Sequence, residues 1–151
     1  MELYDIAVVG GGVAGIAAAV QSARFGMKTI LVEKTALIGG LATSGLVNVF
    51  LPLCDGNGHQ VSFGLCEEML RRSIVYGPGE IPPGWKNERN GTERKRFIAV
   101  FSPASFVLAL DEMLDEAGVD VWLDSLVCGV LAEDGMVKRL EIENESGRVE
   151  L

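Results

Sequence analysis

Three glycines closing an apolar run constrain this chain more than any other feature. Residues 3–9 read Leu-Tyr-Asp-Ile-Ala-Val-Val, and Gly10-x-Gly12-x-x-Gly15 follows at once. Beyond it lies a small, apolar stretch to Phe25, with alanine at 14, 17, 18, 19 and 23. The first run predicts a strand buried on both faces of a parallel sheet. The alanine-rich stretch predicts a helix packed close to that sheet and stopping at Gly26. Residues 27–33 predict a second buried strand, which ends at Glu33-Lys34. In that setting Gly10 permits a tight turn, Gly12 admits a pyrophosphate to the backbone, and Gly15 lets the helix pack on the strand. The helix N-terminus offers N–H groups and partial positive charge to phosphates. Glu33, about twenty residues further on, is placed to accept hydrogen bonds from ribose hydroxyls, and its charge disfavours a 2′-phosphate. The pattern therefore reads as a dinucleotide site rather than a ligand-free glycine turn, and an NADP-type ligand is disfavoured.

Spacing alone leaves FAD and NAD both open. The next stretch, Leu37-Ile38-Gly39-Gly40-Leu41-Ala42-Thr43-Ser44-Gly45, adds a second glycine run that a nicotinamide domain does not need. Taken with Gly10 to Gly15 and Val32-Glu33-Lys34, it resembles the FAD-dependent oxidoreductases of the glutathione-reductase-like flavoprotein superfamily. Later pieces are similar too: Gly64-Leu-Cys-Glu-Glu-Met-Leu-Arg, Phe101-Ser-Pro, Ala117-Gly-Val-Asp-Val and the stretch around Val127. The resemblance covers almost the whole chain and is most specific in its first 45 residues. It implies a Rossmann-like α/β fold, a parallel sheet plus a β-hairpin or meander, and FAD as cofactor. It also implies roles for individual residues. Gly10, Gly12, Val13, Ala14 and Gly15 would contact the pyrophosphate, Glu33 the ribose, and Lys34 would border the adenine. Gly40, Leu41, Ala42, Thr43 and Ser44 would run toward the flavin, and the backbone of Val127 would meet the adenine edge. Proteins of this kind continue past the hairpin into a strand ending in an Ala-Thr-Gly-Asp-like motif, which closes the sheet beside the first strand. This chain ends at Leu151 before such a motif. The expectation is therefore the N-terminal part of a longer flavoenzyme, or a truncated, non-catalytic fragment. With the closing strand absent, residues 3–9 would present an unpaired edge prone to self-association.

The remainder reads as supporting structure within one FAD-binding domain over residues 1–151. Ser62 is expected to cap a helix over residues 63–73, with Glu67–Arg71 and Glu68–Arg72 pairs on its solvated face. Residues 76–96 carry prolines, glycines and no hydrophobic period, so a long mobile loop is expected, locally basic at Arg89, Arg94, Lys95 and Arg96. A lid over an anionic substrate is the sharper alternative for that loop. Residues 97–101 predict a short strand. Ser102 and Pro103 then start a helix with Phe106, Val107, Leu110, Met113, Leu114 and Ala117 on one face, ending at Gly118. Residues 119–123 predict a parallel strand, residues 126–132 and 136–142 a hairpin, and a further strand begins at Arg148.

Formal charge of −8, from 21 acidic against 13 basic side chains, argues against nucleic acid as partner. The apolar run 6–20 is too short to span a bilayer, contains glycines and follows acidic residues, so neither a membrane segment nor a signal peptide is expected. The cytoplasm is the default compartment, and the Asn90-Gly91-Thr92 sequon has no meaning there. Cys54, Cys66 and Cys128 lack C-x-x-C spacing, so no disulfide framework or metal site is indicated. Cys66 and Cys128 are expected in the core, while Cys54 has two readings, redox-active or a plain, partly buried cysteine, and the second is favoured. His59 has two readings, acid/base or flavin attachment against a plain surface-loop histidine, and the second is favoured. No catalytic residue is named, because a bound flavin would supply the redox chemistry.

Overall fold

The computed structural model describes residues 3–57, 59–81 and 97–151. The elements in chain order are β1 (Ile6–Val9), α1 (Val13–Arg24), β2 (Thr29–Val32), a 3-10 turn at Gly40–Ala42, β3 (Val49–Phe50) and α2 (Leu65–Arg72). They continue with β4 (Ala99–Val100), α3 (Pro103–Ala117), β5 (Asp120–Trp122), β6 (Leu126–Glu133), β7 (Met136–Asn144) and β8 (Gly147–Glu150). The chain divides into two compact units, residues 1–40 with 111–151, and residues 41–110.

The first unit is built on a parallel sheet in the order β1-β2-β5. Ile6 to Val9 pair in step with Thr29 to Val32, and β5 joins the far side of β2. Every residue of β2 is buried, as its unbroken apolar run requires. Strand β1 is a correction to the expectation of burial on both faces: Ala7 and Val9 are exposed, Val9 by 57%. Their register partners Ile30 and Val32 lie in the cluster packed under β7, whereas β1, at the edge of the sheet among the described residues, contributes neither Ala7 nor Val9 to it. Helix α1 buries Ile16, Ala19 and Val20. It ends where Gly26 takes φ +84°, with the Met27 N–H returning to the Ser22 carbonyl.

The antiparallel meander β6-β7-β8 completes this unit. Leu140 and Ile142 of β7 pack with Ile30 and Val32 of β2, and Tyr4, Trp122, Val127, Val149 and Leu151 surround them. Burial of each such side chain is worth about 1.5–3 kcal/mol, so this apolar layer holds meander and parallel sheet together. The β6–β7 turn is Asp134-Gly135 with both residues at positive φ, the type I′ geometry that matches strand twist.

The second unit centres on Phe50, Phe101 and Phe106, whose rings meet at centroid distances of 4.9–5.8 Å. The two-stranded ribbon β3–β4 pairs Val49 with Val100 and Phe50 with Ala99. Strand β3 carries too little periodicity for the sequence to announce it. Leu53, Leu70 and Ala99 form a second cluster, joined by Phe50 and Ile81. Helix α2 starts later than expected and without Ser62 as cap, since Gly64 at φ +67° is the capping residue. Its two Glu–Arg pairs are present, Glu67 to Arg71 at 2.8 Å and Glu68 to Arg72 at 3.4 Å. Ser102 accepts the Ser105 N–H at the start of α3, as the Ser-Pro signal implies. Of the loop expected over 76–96, residues 82–96 lie outside the described residues, and with them Arg89, Arg94, Lys95, Arg96 and the sequon. Residues before that point are tied down, with the Tyr76 N–H donating to Ser105 Oγ at 3.2 Å.

Candidate cofactor-binding site

The site grows from the turn between β1 and α1. Gly10 has φ +107°, open to glycine and strained for other residues, and its N–H donates to the Val32 carbonyl at 2.8 Å. A Cβ on Gly15 would overlap the Gly10 carbonyl oxygen, so only glycine lets α1 leave the turn at this angle. Gly12 is the N-cap of α1 and supplies no side-chain cap. The first N–H groups of a helix have no intrahelical acceptor, so this end favours an anion. A Cβ placed on Gly12 would meet nothing within 4 Å, and Val13 and Ala14 beside it are exposed. The turn is therefore tight on the Gly10–Gly15 side and open at Gly12.

Glu33 stands at the end of β2, where its main chain is held on both sides. Its N–H donates to the Trp122 carbonyl at 2.8 Å, and its carbonyl accepts the Ser125 N–H at 3.0 Å. Its carboxylate accepts the Gly11 N–H at Oε2 (2.6 Å) and the Thr35 N–H and hydroxyl at Oε1 (2.9 and 2.8 Å). Burial pushes the Glu33 carboxyl up, but the hydrogen bonds from Gly11 and Thr35 outweigh it and leave the pKa below its ordinary value. An ionised, oriented acceptor results. Lys34 beside it is exposed.

The second glycine pair comes back to the first turn. The Gly39 N–H donates to the Gly11 carbonyl at 2.7 Å, and Gly39 lies alongside Gly12 in a parallel bridge. A Cβ on Gly40 would sit 3.2 Å from the Gly12 Cα. Both glycine runs and the acid thus belong to one hydrogen-bonded frame. Val127 lies near the start of β6, two residues beyond the Ser125 N–H that holds Glu33, and faces the apolar layer.

Leu41, Ala42, Thr43 and Ser44 fall in the second unit. There they form a compact turn: the Val47 N–H donates to the Leu41 carbonyl at 2.9 Å and the Leu46 N–H to the Thr43 carbonyl at 3.1 Å. Thr43 is buried, while Leu41 and Ser44 are exposed. Sequence reasoning gave no individual site role to Gly11, Gly39 or Thr35, which hydrogen bonds tie to one another through Glu33 and the first turn. Their signals were present as the middle glycine of Gly10-Gly11-Gly12, the first glycine of Gly39-Gly40, and a hydroxyl two residues after the acid.

The other titratable candidates separate clearly. His59 is exposed, with Nδ1 3.2 Å from Asp55 Oδ2, in a turn where Asp55 Oδ1 also accepts the Asn57 and His59 N–H groups. Those hydrogen bonds, from the Asn57 N–H above all, hold the Asp55 carboxyl far below the usual carboxylate range. Cys54 is buried. Cys66 and Cys128 correct the expectation of core positions: both are exposed, on the outer sides of α2 and of a bulged stretch of β6. No cluster suited to a metal ion occurs among the described residues.

Comparison with known proteins agrees with this geometry. The family model described as FAD dependent oxidoreductase matches residues 5–151. A digeranylgeranylglycerophospholipid reductase of Thermoplasma volcanium is 34% identical over 154 residues, covering 100% of this chain and 37% of the relative. The enzyme of the same name from Thermoplasma acidophilum is 33% identical over the same shares. Among solved structures, a geranylgeranyl bacteriochlorophyll reductase-like protein from T. acidophilum superposes with a TM-score of 0.63. It is 28% identical, over 99% of this chain and 37% of that one. The chain thus spans little more than a third of the length of these relatives.

Proposed function

The chain belongs to the FAD dependent oxidoreductase family, and from that premise we propose that it is the part of a flavin-dependent oxidoreductase that holds the adenosine and pyrophosphate of FAD. One observation carries the reading: Gly11 gives its N–H to Glu33 and its carbonyl to Gly39, beside a Gly12 that leaves open space. In this reading Gly10 and Gly15 shape the turn, and Gly12, Val13 and Ala14 present the first turn of α1 to the pyrophosphate. Glu33 accepts the ribose hydroxyls, Lys34 and the Val127 backbone border the adenine, and Gly40 to Ser44 lead toward the flavin. Bound FAD supplies the redox chemistry, a hydride or electron pair passed to or from a substrate. The residues named here bind and orient. They do not take part in bond making.

The test is spectroscopic. The purified protein, as isolated or after adding FAD, should show flavin absorbance that stays with it through gel filtration. A colourless protein that takes up no FAD would sink the proposal, and tight NAD binding with indifference to FAD would replace it.

Self-association belongs to the same reading. The N–H groups of Ile6 and Gly10 point to carbonyls on the β2 side, so by strand alternation those of Ala7 and Val9 point outward. A second copy pairing along this edge would satisfy them. Sedimentation that finds only monomer at high concentration would remove that element. The cytoplasm is the proposed compartment. No described helix is long and apolar enough to cross a membrane, and recovery of the protein in a washed membrane fraction would overturn the assignment.

A further inference from the structure

Thr35 belongs to neither glycine run, yet it closes the frame between them. Its N–H and hydroxyl lie 2.9 and 2.8 Å from Glu33 Oε1, and the same hydroxyl lies 2.9 Å from the Leu37 carbonyl oxygen. Its own carbonyl accepts the Asp124 N–H at 3.2 Å, which fixes its backbone to the β5–β6 connection. Glu33 Oε2 accepts the Gly11 N–H, and the Gly11 carbonyl accepts the Gly39 N–H two residues beyond Leu37. The hydroxyl has one proton and donates to Glu33 Oε1 or to the Leu37 carbonyl, while the Thr35 N–H donates to Glu33 Oε1 in either case. Thr35 thus links Leu37 to the chain of hydrogen bonds from Glu33 through Gly11 to Gly39. A glutamate side chain at a strand end would otherwise sample several rotamers, and ordering it costs conformational entropy. A frame that holds it in place before the ligand arrives removes that cost from binding.

We infer that Thr35 is a positioning residue for FAD, holding the Glu33 carboxylate in the orientation that receives the adenosine ribose. The inference rests on the reading of Glu33 as the ribose acceptor. Thr35 acts through Glu33 and through the Gly11 N–H that Glu33 secures. Because Thr35 is exposed, removing its hydroxyl leaves the core packing alone.

The experiment measures FAD affinity by flavin fluorescence for the full chain and for Thr35→Val, Thr35→Ser and Glu33→Ala, with hydrogen exchange of the Gly11 amide followed in parallel. Thr35→Val should weaken FAD binding about tenfold, the scale of one hydrogen bond to a charged group. It should also speed exchange of the Gly11 amide, while Thr35→Ser restores both. An unchanged affinity in Thr35→Val while Glu33→Ala binds weakly overturns the role of Thr35 alone. So does a loss that leaves Gly11 exchange untouched or that serine does not rescue. Full FAD affinity in Glu33→Ala is a different result: it removes the reading of Glu33 and the inference with it.

Discussion

Replacing Glu33 by glutamine tests the frame most directly, because the shape is kept and the chemistry is not. The carboxylate receives donors at both oxygens, the Gly11 N–H at 2.6 Å and the Thr35 N–H and hydroxyl at 2.9 and 2.8 Å. A glutamine amide has one oxygen. Whichever way it turns, its NH2 faces a backbone N–H that has lost its acceptor. The loss is a charge-assisted hydrogen bond plus an unsatisfied donor, each about 1–3 kcal/mol when buried. Glu33 is only half-buried, and water reaches part of the gap, so about 2 kcal/mol is expected. For a chain of this size that lowers the urea midpoint by about 1 M, readable from tryptophan fluorescence, since Trp122 adjoins Glu33. The pH dependence adds a signed check. The folded-state pKa of Glu33 lies below its ordinary value near 4.5, so its stabilisation is full above that value and fades as pH falls through the lower one. The gap between wild type and Glu33→Gln should therefore narrow on acidification. A midpoint shift below about 0.25 M, or a gap that does not change with pH, would refute the reasoning.

Other outcomes follow from the same geometry. Gly15→Ala gains about 1 kcal/mol of helix propensity but drives a methyl group into the Gly10 carbonyl, so net destabilisation and loss of FAD retention are expected, checked by urea unfolding and absorbance. Leu46 is exposed and sits at φ +57°, so Leu46→Asn should raise stability by about 1 kcal/mol by relieving left-handed strain, seen as a higher melting temperature. Asp55 should remain ionised at about pH 3, below the ordinary carboxylate range, because its hydrogen bonds lower its pKa. A carboxyl carbon titration by NMR checks this, and an ordinary midpoint would contradict it. Ala7→Pro removes an outward N–H from an edge strand, where proline is tolerated, and should suppress any dimer without unfolding the monomer, as sedimentation velocity would report.

How much was legible depended on whether a residue's role was local. Gly10, Gly15, the helix from Val13 and the buried strand β2 could be read directly, because periodicity and glycine placement act within a few residues. The Asp134-Gly135 turn could be read for the same reason. Burial of β1 was misjudged because the cover over Ala7 and Val9 depends on how far the layer packed on their register partners Ile30 and Val32 extends, which residue pattern does not show. Cys66 and Cys128 looked like core residues in apolar surroundings, yet the rotation of α2 and the bulge in β6 turn them outward.

The residues alone determined the kind of site: a strand, a glycine turn and an acid at the next strand end define a dinucleotide cradle through short-range sterics and charge. Tertiary structure decided how that cradle is held together. Gly11 reaches Glu33 because β1 and β2 run in parallel register, and Gly39 reaches Gly11 because the chain after Thr35 folds back on the first turn, whereas Thr35 meets Glu33 locally, two residues along the chain. Those hydrogen bonds span up to 28 positions, as between Gly11 and Gly39. Contacts at that separation arise from chain topology, which the pattern of neighbouring residues does not encode.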